Sequence, residues 1–357
     1  MRILHIVKVG ALANGITSVV SALSKAQEGA GAQVEVININ SHAPDNLGFR
    51  KSTSSLEFLR ILKEFKPNIV VFHSMFYPEL KNYSKILRTQ TIPYIIQPHG
   101  AFSKENYAKN KLKKWAFRKL FLNRFIAGAQ GWVFLNEKER QNFVLRAPNI
   151  KELVIPNGCY RHSYDKNNVN KSITFLFLSR IVLYHKGLDN LIEGIKLYLQ
   201  SAPKEVSPTV EFIICGPGTG EDLKRFKSLL PHYDNRVKYV GAAYGEEKDK
   251  LFANANIFML TSRFEGFPVS ILEALSFGCP CMISEATNVA EIINRYNCGW
   301  VLDDITPSTI AETIRTAIRD YLANKQKLVD NAILASEEYL WDRIAQRSID
   351  LYTSVIK

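Results

Sequence analysis

Twice along its 357 residues the chain repeats one pattern: a short apolar run, then a longer segment with apolar residues at helical spacing. In the first half the runs fall at residues 3–9, 34–39, 69–73, 94–97, 131–135 and 153–155. In the second half they fall at 173–178, 210–215, 237–240 and 257–260. Apolar runs of this length, without polar alternation, fit strands covered on both faces. Parallel strands need crossover connections, and the intervening helical segments supply them. The pattern predicts an α/β chain with two parallel sheets flanked by helices. In such sheets ligands bind at the carboxyl ends of the strands. The turn Pro156-Asn-Gly158 and the patternless polar stretch 161–171 mark the linker. The expected domains are residues 1–168 and 169–340, a comfortable division for a chain of this length.

Composition excludes some classes. A hydrophobic content of 46% supports full cores. No run of 18 apolar residues occurs, so no membrane-spanning helix is expected. The opening Met-Arg-Ile-Leu-His-Ile-Val-Lys carries His5 and Lys8 inside its apolar run and reads as a first strand rather than a secretory signal. Five cysteines with no C-x-x-C pair indicate a reduced, cytosolic protein. Cys279-Pro-Cys281 reads as buried packing at a strand edge rather than as a metal or redox site.

Charge is unevenly placed. Residues 1–168 hold 25 basic and 11 acidic side chains, a net +14, whereas 169–357 hold 21 and 23, a net −2. An anionic partner for the first half follows: a membrane surface, nucleic acid or a polyanionic substrate. The densest basic stretch is 104–124, with eight Lys or Arg and one acid. It includes Lys109, Lys111, Lys113, Lys114, Trp115, Arg118 and Lys119, with further aromatic residues at helical spacing. Such a basic amphipathic helix suits an anionic bilayer. A helix docked on its own domain with a solvated basic face fits the same pattern. No nucleic-acid fold motif accompanies it.

Residues 261–280 read Thr-Ser-Arg-Phe-Glu-Gly-Phe-Pro-Val-Ser-Ile-Leu-Glu-Ala-Leu-Ser-Phe-Gly-Cys-Pro. This is a strand end, a loop and a helix. Pro268 suits the first helical turn, and Gly278 with Pro280 closes the helix. The free N–H groups of such a turn bind anions. Glu265 before it and Glu273 within it would suit hydroxyls flanking a phosphate, as in a sugar nucleotide. A solvated Glu265 and a helix-surface Glu273 fit the spacing equally well.

The segment Glu265-Gly-Phe-Pro-Val-Ser-Ile-Leu-Glu273 resembles the Glu-x7-Glu motif of the family-4 retaining glycosyltransferases. The resemblance covers nearly the whole second half strongly and the first half loosely. It implies the GT-B fold: two Rossmann-like parallel-sheet domains facing across a cleft, with the final helix, from about residue 341 to 357, crossing back to the first. It implies that the first domain binds acceptor and the second binds donor. Arg180 and Lys186, with Gly266, Phe267, Pro268, Val269 and Ser270, then belong to the donor diphosphate site. Glu273 would hold the ribose hydroxyls. Glu265 would contact the donor sugar or steady positive charge at its anomeric carbon. His99, in Gln97-Pro-His-Gly, would lie beside the sugar, and Gly15 near the diphosphate. Gly216 would allow close backbone approach, and Tyr244 would pack near the nucleobase. Glu291-Ile-Ile and Gly299-Trp-Val-Leu resemble the family's later strands.

The resemblance implies a hexosyl transfer from a nucleotide sugar, UDP-linked by family precedent, with retained configuration. Surface polysaccharide synthesis (capsule, lipopolysaccharide O-antigen or exopolysaccharide) on a saccharide or lipid-linked acceptor is the expected setting. The expected location is cytoplasmic, peripheral on the inner face of the cell membrane, with no nucleic-acid partner. No Asp-x-Asp occurs, so no metal is implied, and the nucleotide sugar is a substrate rather than a cofactor. The rival readings are a GT-B sugar-nucleotide epimerase and a non-catalytic basic protein that binds polyanions.

Overall fold

The computed structural model describes residues 1–9, 15–43, 48–75, 77–100, 115, 117–145, 147, 150–162, 172–201, 209–231 and 234–356. They form two compact units. One is Met1–Gly158 together with Trp341–Lys357, and the other is Cys159–Leu340.

The first unit is built on strands β1 (Arg2–Val7), β2 (Gln33–Asn38), β3 (Arg50–Lys51), β4 (Ile69–His73), β5 (Tyr94–Gln97), β6 (Gly131–Phe134) and β7 (Lys151–Val154). They pair in the order β3-β2-β1-β4-β5-β6-β7, all parallel. β4, β5 and β6 are buried along their whole length, which is why their sequences are continuous apolar runs. Strand order reverses between β1 and β4, the place where such sheets open a crevice.

The helices around the sheet start where the sequence caps them. Ser54 accepts the Glu57 N–H, and the Glu57 carboxylate accepts the Thr53 N–H, so Ser55–Phe65 opens on a capping pair. Packing fixes the rest: Phe72 meets Phe125 edge-on at 5.0 Å, and the Tyr94 hydroxyl donates to the Phe125 carbonyl at 2.5 Å. The final helix, Trp341–Ile356, belongs to this unit and packs along the helix Gly15–Gly29.

The second unit holds β8 (Ser172–Leu178), β9 (Thr209–Cys215), β10 (Val237–Tyr239), β11 (Ile257–Leu260), β12 (Cys281–Ser284) and β13 (Gly299–Leu302). Their order is β10-β9-β8-β11-β12-β13, again all parallel, with the reversal between β8 and β11. All five cysteines are buried and unpaired, and Cys281 opens β12.

Three sequence readings change. Residues 291–293 are helical, within Ala290–Tyr296, rather than strand. Ile292 and Ile293 are both buried on the face this helix turns to its unit. Pro268 is the N-cap, with φ −72° and ψ 120°, and the helix begins one residue later at Val269. The basic amphipathic stretch divides in its described part. Leu122, Phe125 and Ile126 are buried in their own unit, whereas Trp115 and Leu120 are 52% and 63% exposed. Lys109, Lys111, Lys113 and Lys114 lie outside the described residues. Among the described residues, no helix is long and apolar enough to cross a membrane.

Candidate active site

At the carboxyl ends of β8 and β11 the chain makes two close backbone approaches that only glycine permits. At Gly187, with φ +63°, a Cβ would lie 2.2 Å from the Thr261 carbonyl oxygen. At Gly216 it would lie 1.7 Å from the Ser179 carbonyl oxygen. The glycine at 216 therefore serves contact between two strand ends within the protein. Gly187 presses the turn after Lys186 against the start of the 261–268 loop.

That approach brings Lys186 to Glu265. Nζ lies 2.5 Å from Oε1, with the two side chains 7% and 12% exposed. The Ser262 hydroxyl donates to the same Oε1 at 2.6 Å. The loop is braced on both sides. Asn288 donates its amide to the Glu265 carbonyl, and the Glu265 N–H reaches the Ala286 carbonyl. The Arg263 guanidinium binds both oxygens of Asp189 and the Tyr184 carbonyl. His185 donates Nε2–H to the Phe264 carbonyl and stacks on its ring at 4.1 Å. Desolvation, opposed by nearby Glu265 and reinforced by Lys186 and Arg180, holds His185 below its usual pKa.

Arg180 is exposed at the end of β8, and its guanidinium has no ion-pair partner among the described residues. Val269 and Ser270 open the helix Val269–Ser276 on the same loop, where first-turn N–H groups precede the helical ladder. Phe267 is buried against the Tyr339 ring at 5.7 Å, so it anchors the loop. Gly266 sits between Glu265 and this anchor. Glu273 lies one turn into the helix and is held by Lys248 at 2.6 Å. Tyr244 is 57% exposed and stands at the N-cap position of the helix Gly245–Asn254, without a side-chain capping bond.

His99 and Gly15 lie in the first unit. Gly15 opens the helix Gly15–Gly29, and a Cβ there would meet nothing within 4 Å among the described residues. His99 follows β5 with φ +53°, and Gly100 follows with φ +76°. Two left-handed residues in a row need holding, since a non-glycine residue there costs on the order of 1 kcal/mol or more. Glu139 holds them: its buried carboxylate accepts the N–H groups of Gly100 and Leu135, both at 2.6 Å. Burial pushes its pKa up against those two bonds. The His99 ring meets His73 at 2.9 Å, and His73 meets His5 at 2.8 Å. Burial lowers His5 and His99 to about 4 and His73 well below its usual value, so the rings are neutral at neutral pH.

The sequence reading missed Lys248, Glu139, His5, His73 and Gly187 as site-building residues. Two of these had a signal. Asn136-x-x-Glu139 is a helix-start pattern, and Asn136 does cap Glu137–Asn142. A histidine within a buried apolar strand, as at His5, needs a buried partner.

Two Rossmann-like parallel-sheet domains, the second with cations and carboxylates at its switch point, define the GT-B class. The profile of the glycosyl transferases group 1 matches residues 161–334, and that of glycosyltransferase family 4 matches 13–160. The chain belongs to the family-4, group 1 glycosyltransferases. An uncharacterized glycosyltransferase of Methanocaldococcus jannaschii is 26% identical over 231 residues, covering 60% of this chain and 57% of that protein. The N,N'-diacetylbacillosaminyl-diphospho-undecaprenol alpha-1,3-N-acetylgalactosaminyltransferase of Campylobacter jejuni is 27% identical over 287 residues, covering 74% and 72%. The Anabaena protein HepE, solved with UDP and glucose, superposes with a TM-score of 0.73 at 17% identity, covering 99% of this chain and 100% of that one. The chain spans about half the length of most of the curated relatives it matches.

Proposed function

We propose that this chain transfers a sugar from a nucleotide-sugar donor, UDP-linked, to a saccharide or lipid-linked saccharide, with retention of anomeric configuration. The observation that carries this reading is the cluster at the ends of β8 and β11. There Arg180 has no ion-pair partner among the described residues, Lys186 meets Glu265, and a helix N-terminus opens on the same loop. Guanidinium, ammonium and first-turn N–H groups together suit a diphosphate. HepE, of the same fold, was solved with UDP and glucose.

In this reading Arg180, Lys186 and the N–H groups of Val269 and Ser270 bind the diphosphate, and Glu273 takes the ribose hydroxyls. The bond from the anomeric carbon to phosphate oxygen breaks, and its electron pair stays on that oxygen. The fixed cations stabilise the charge that develops there, with no metal in the scheme. The acceptor oxygen bonds the anomeric carbon from the same face, and its proton passes to the departing phosphate. Glu265 faces the sugar, and its ion pair with Lys186 joins sugar recognition to phosphate recognition.

For the acceptor, the name of the Campylobacter relative specifies a diphospho-undecaprenol substrate. The basic stretch 104–124, with Trp115 and Leu120 exposed, suits an anionic bilayer where such a lipid lies. Surface polysaccharide synthesis at the inner face of the cell membrane is the corresponding setting.

A thermal-shift and hydrolysis screen of nucleotide sugars without added metal tests the proposal. One stabilising donor, slowly cleaved to free sugar, is the expected result. Conversion of the donor to an epimer would favour the epimerase reading, and stabilisation by no nucleotide would overturn the donor site.

A further inference from the structure

Five side chains in the first unit form one hydrogen-bonded line. His99 Nε2 meets His73 Nδ1 at 2.9 Å, and His73 Nε2 meets His5 Nδ1 at 2.8 Å. His5 Nε2 meets Gln27 Oε1 at 2.8 Å, and Gln27 Nε2 meets Ser348 Oγ at 2.8 Å. The Ser348 hydroxyl donates to the Ala345 carbonyl at 2.7 Å. The line starts on the final helix, crosses to the helix Gly15–Gly29, and passes through β1 and β4. It emerges after β5, where His99 is partly exposed while His5, His73, Gln27 and Ser348 are buried.

The Gln27 amide, as placed, sets the direction of the line. Its nitrogen donates to Ser348 Oγ, whose own proton goes to the Ala345 carbonyl. Gln27 Oε1 must then accept from His5 Nε2–H. A neutral imidazole donates from one nitrogen and accepts at the other, so His5 Nδ1 accepts from His73 Nε2–H. His73 Nδ1 in turn accepts from His99 Nε2–H. His99 Nδ1 is left as a lone pair, and it has no hydrogen-bond partner among the described residues. Burial keeps His5 and His99 near 4 and His73 well below its usual value, so no ring carries the second proton that would break this order.

We infer that His73, His5, Gln27 and Ser348 are positioning residues that lock His99 as a neutral Nε2–H tautomer, presenting Nδ1 as a hydrogen-bond acceptor for a ligand hydroxyl at the carboxyl end of β5. The consequence is directional. A hydroxyl that meets His99 Nδ1 must donate, and the ring stands as neither a general acid nor a cation. Glu139 contributes by holding the left-handed backbone that aims the ring.

The test is nitrogen NMR of the full chain with 15N-labelled histidine, unliganded, at neutral pH. His5, His73 and His99 should each show a protonated Nε2 and a bare Nδ1. A protonated Nδ1 at His99, or an imidazolium, would overturn the proposal whether or not the protein transfers sugar. Two variants of like size then separate positioning from bulk structure. In His73→Asn the side-chain oxygen takes the place of Nδ1 and still accepts from His99. In His73→Leu it cannot. In His73→Leu the His99 proton should no longer be confined to Nε2, whereas His73→Asn should keep it there. A His99 tautomer unchanged in His73→Leu, or lost equally in His73→Asn, would overturn the positioning role.

Discussion

Lys186 and Glu265, 79 residues apart in sequence, meet at 2.5 Å with both side chains almost closed to solvent. The pairing is made by Gly187, which alone allows the Lys186 turn to reach Thr261. Removing one member leaves a buried charge without its partner, at a cost of roughly 3–5 kcal/mol. Lys186→Ala or Glu265→Ala should therefore lower the stability of the second unit by about that amount in urea. The double change Lys186→Met with Glu265→Leu should recover most of it and leave the protein inactive. Single variants as stable as the parent would contradict this account of the pair.

Gly187→Ala and Gly15→Ala should behave oppositely. The first drives a methyl to 2.2 Å from a backbone oxygen at φ +63°, so stability and donor binding should both fall. The second adds a methyl at a helix start with nothing within 4 Å among the described residues, so stability should hold or rise slightly. Thermal melting with and without the nucleotide sugar reads both.

Acid should weaken the first unit. His5, His73 and His99 are held neutral by burial, with His5 and His99 near 4 against an ordinary 6.5. Between those values the unfolded chain binds protons that the folded chain does not. Their stability is thus complete above about pH 6.5 and falls as pH drops towards 4, by up to about 1.4 kcal/mol per pH unit for each ring. Glu139, with its pKa raised by burial, acts in the opposite sense, but it is one group against three. Urea midpoints of the first unit at pH 7 and pH 5 measure the slope, and equal midpoints would contradict the neutral relay.

Replacing Lys109, Lys111, Lys113, Lys114 and Lys119 by Gln should cut partition onto anionic vesicles by well over tenfold, since each such charge contributes about 1 kcal/mol near a membrane surface. Nucleotide-sugar binding should be unchanged. Pelleting with anionic and with neutral vesicles reads the effect, and equal pelleting of parent and variant on anionic lipid would contradict membrane docking by this stretch.

Most of the fold was legible in the sequence because buried parallel strands are written as unbroken apolar runs. Ile257–Leu260 and Ile69–His73 appear at the positions their composition indicates. Glu291-Ile-Ile misled because two adjacent isoleucines suit a helix face as well as a buried strand, and only packing decides. The family resemblance named Glu265, Glu273, Arg180 and Lys186, yet it could not show that Lys186 binds Glu265 or that Lys248 binds Glu273. Those contacts join residues 79 and 25 positions apart and depend on how strand ends align. The histidine line was less visible still. Its five side chains are drawn from two strands, two helices and a loop, and each alone reads as an isolated polar residue in an apolar setting.

The most direct measurement is the anomeric configuration of the sugar released or transferred from a nucleotide α-sugar, followed by proton NMR before mutarotation erases it. The account predicts an α product, from attack on the face that the nucleotide leaves. A β product would contradict it, because same-face attack beside Arg180 and Lys186 cannot yield inversion.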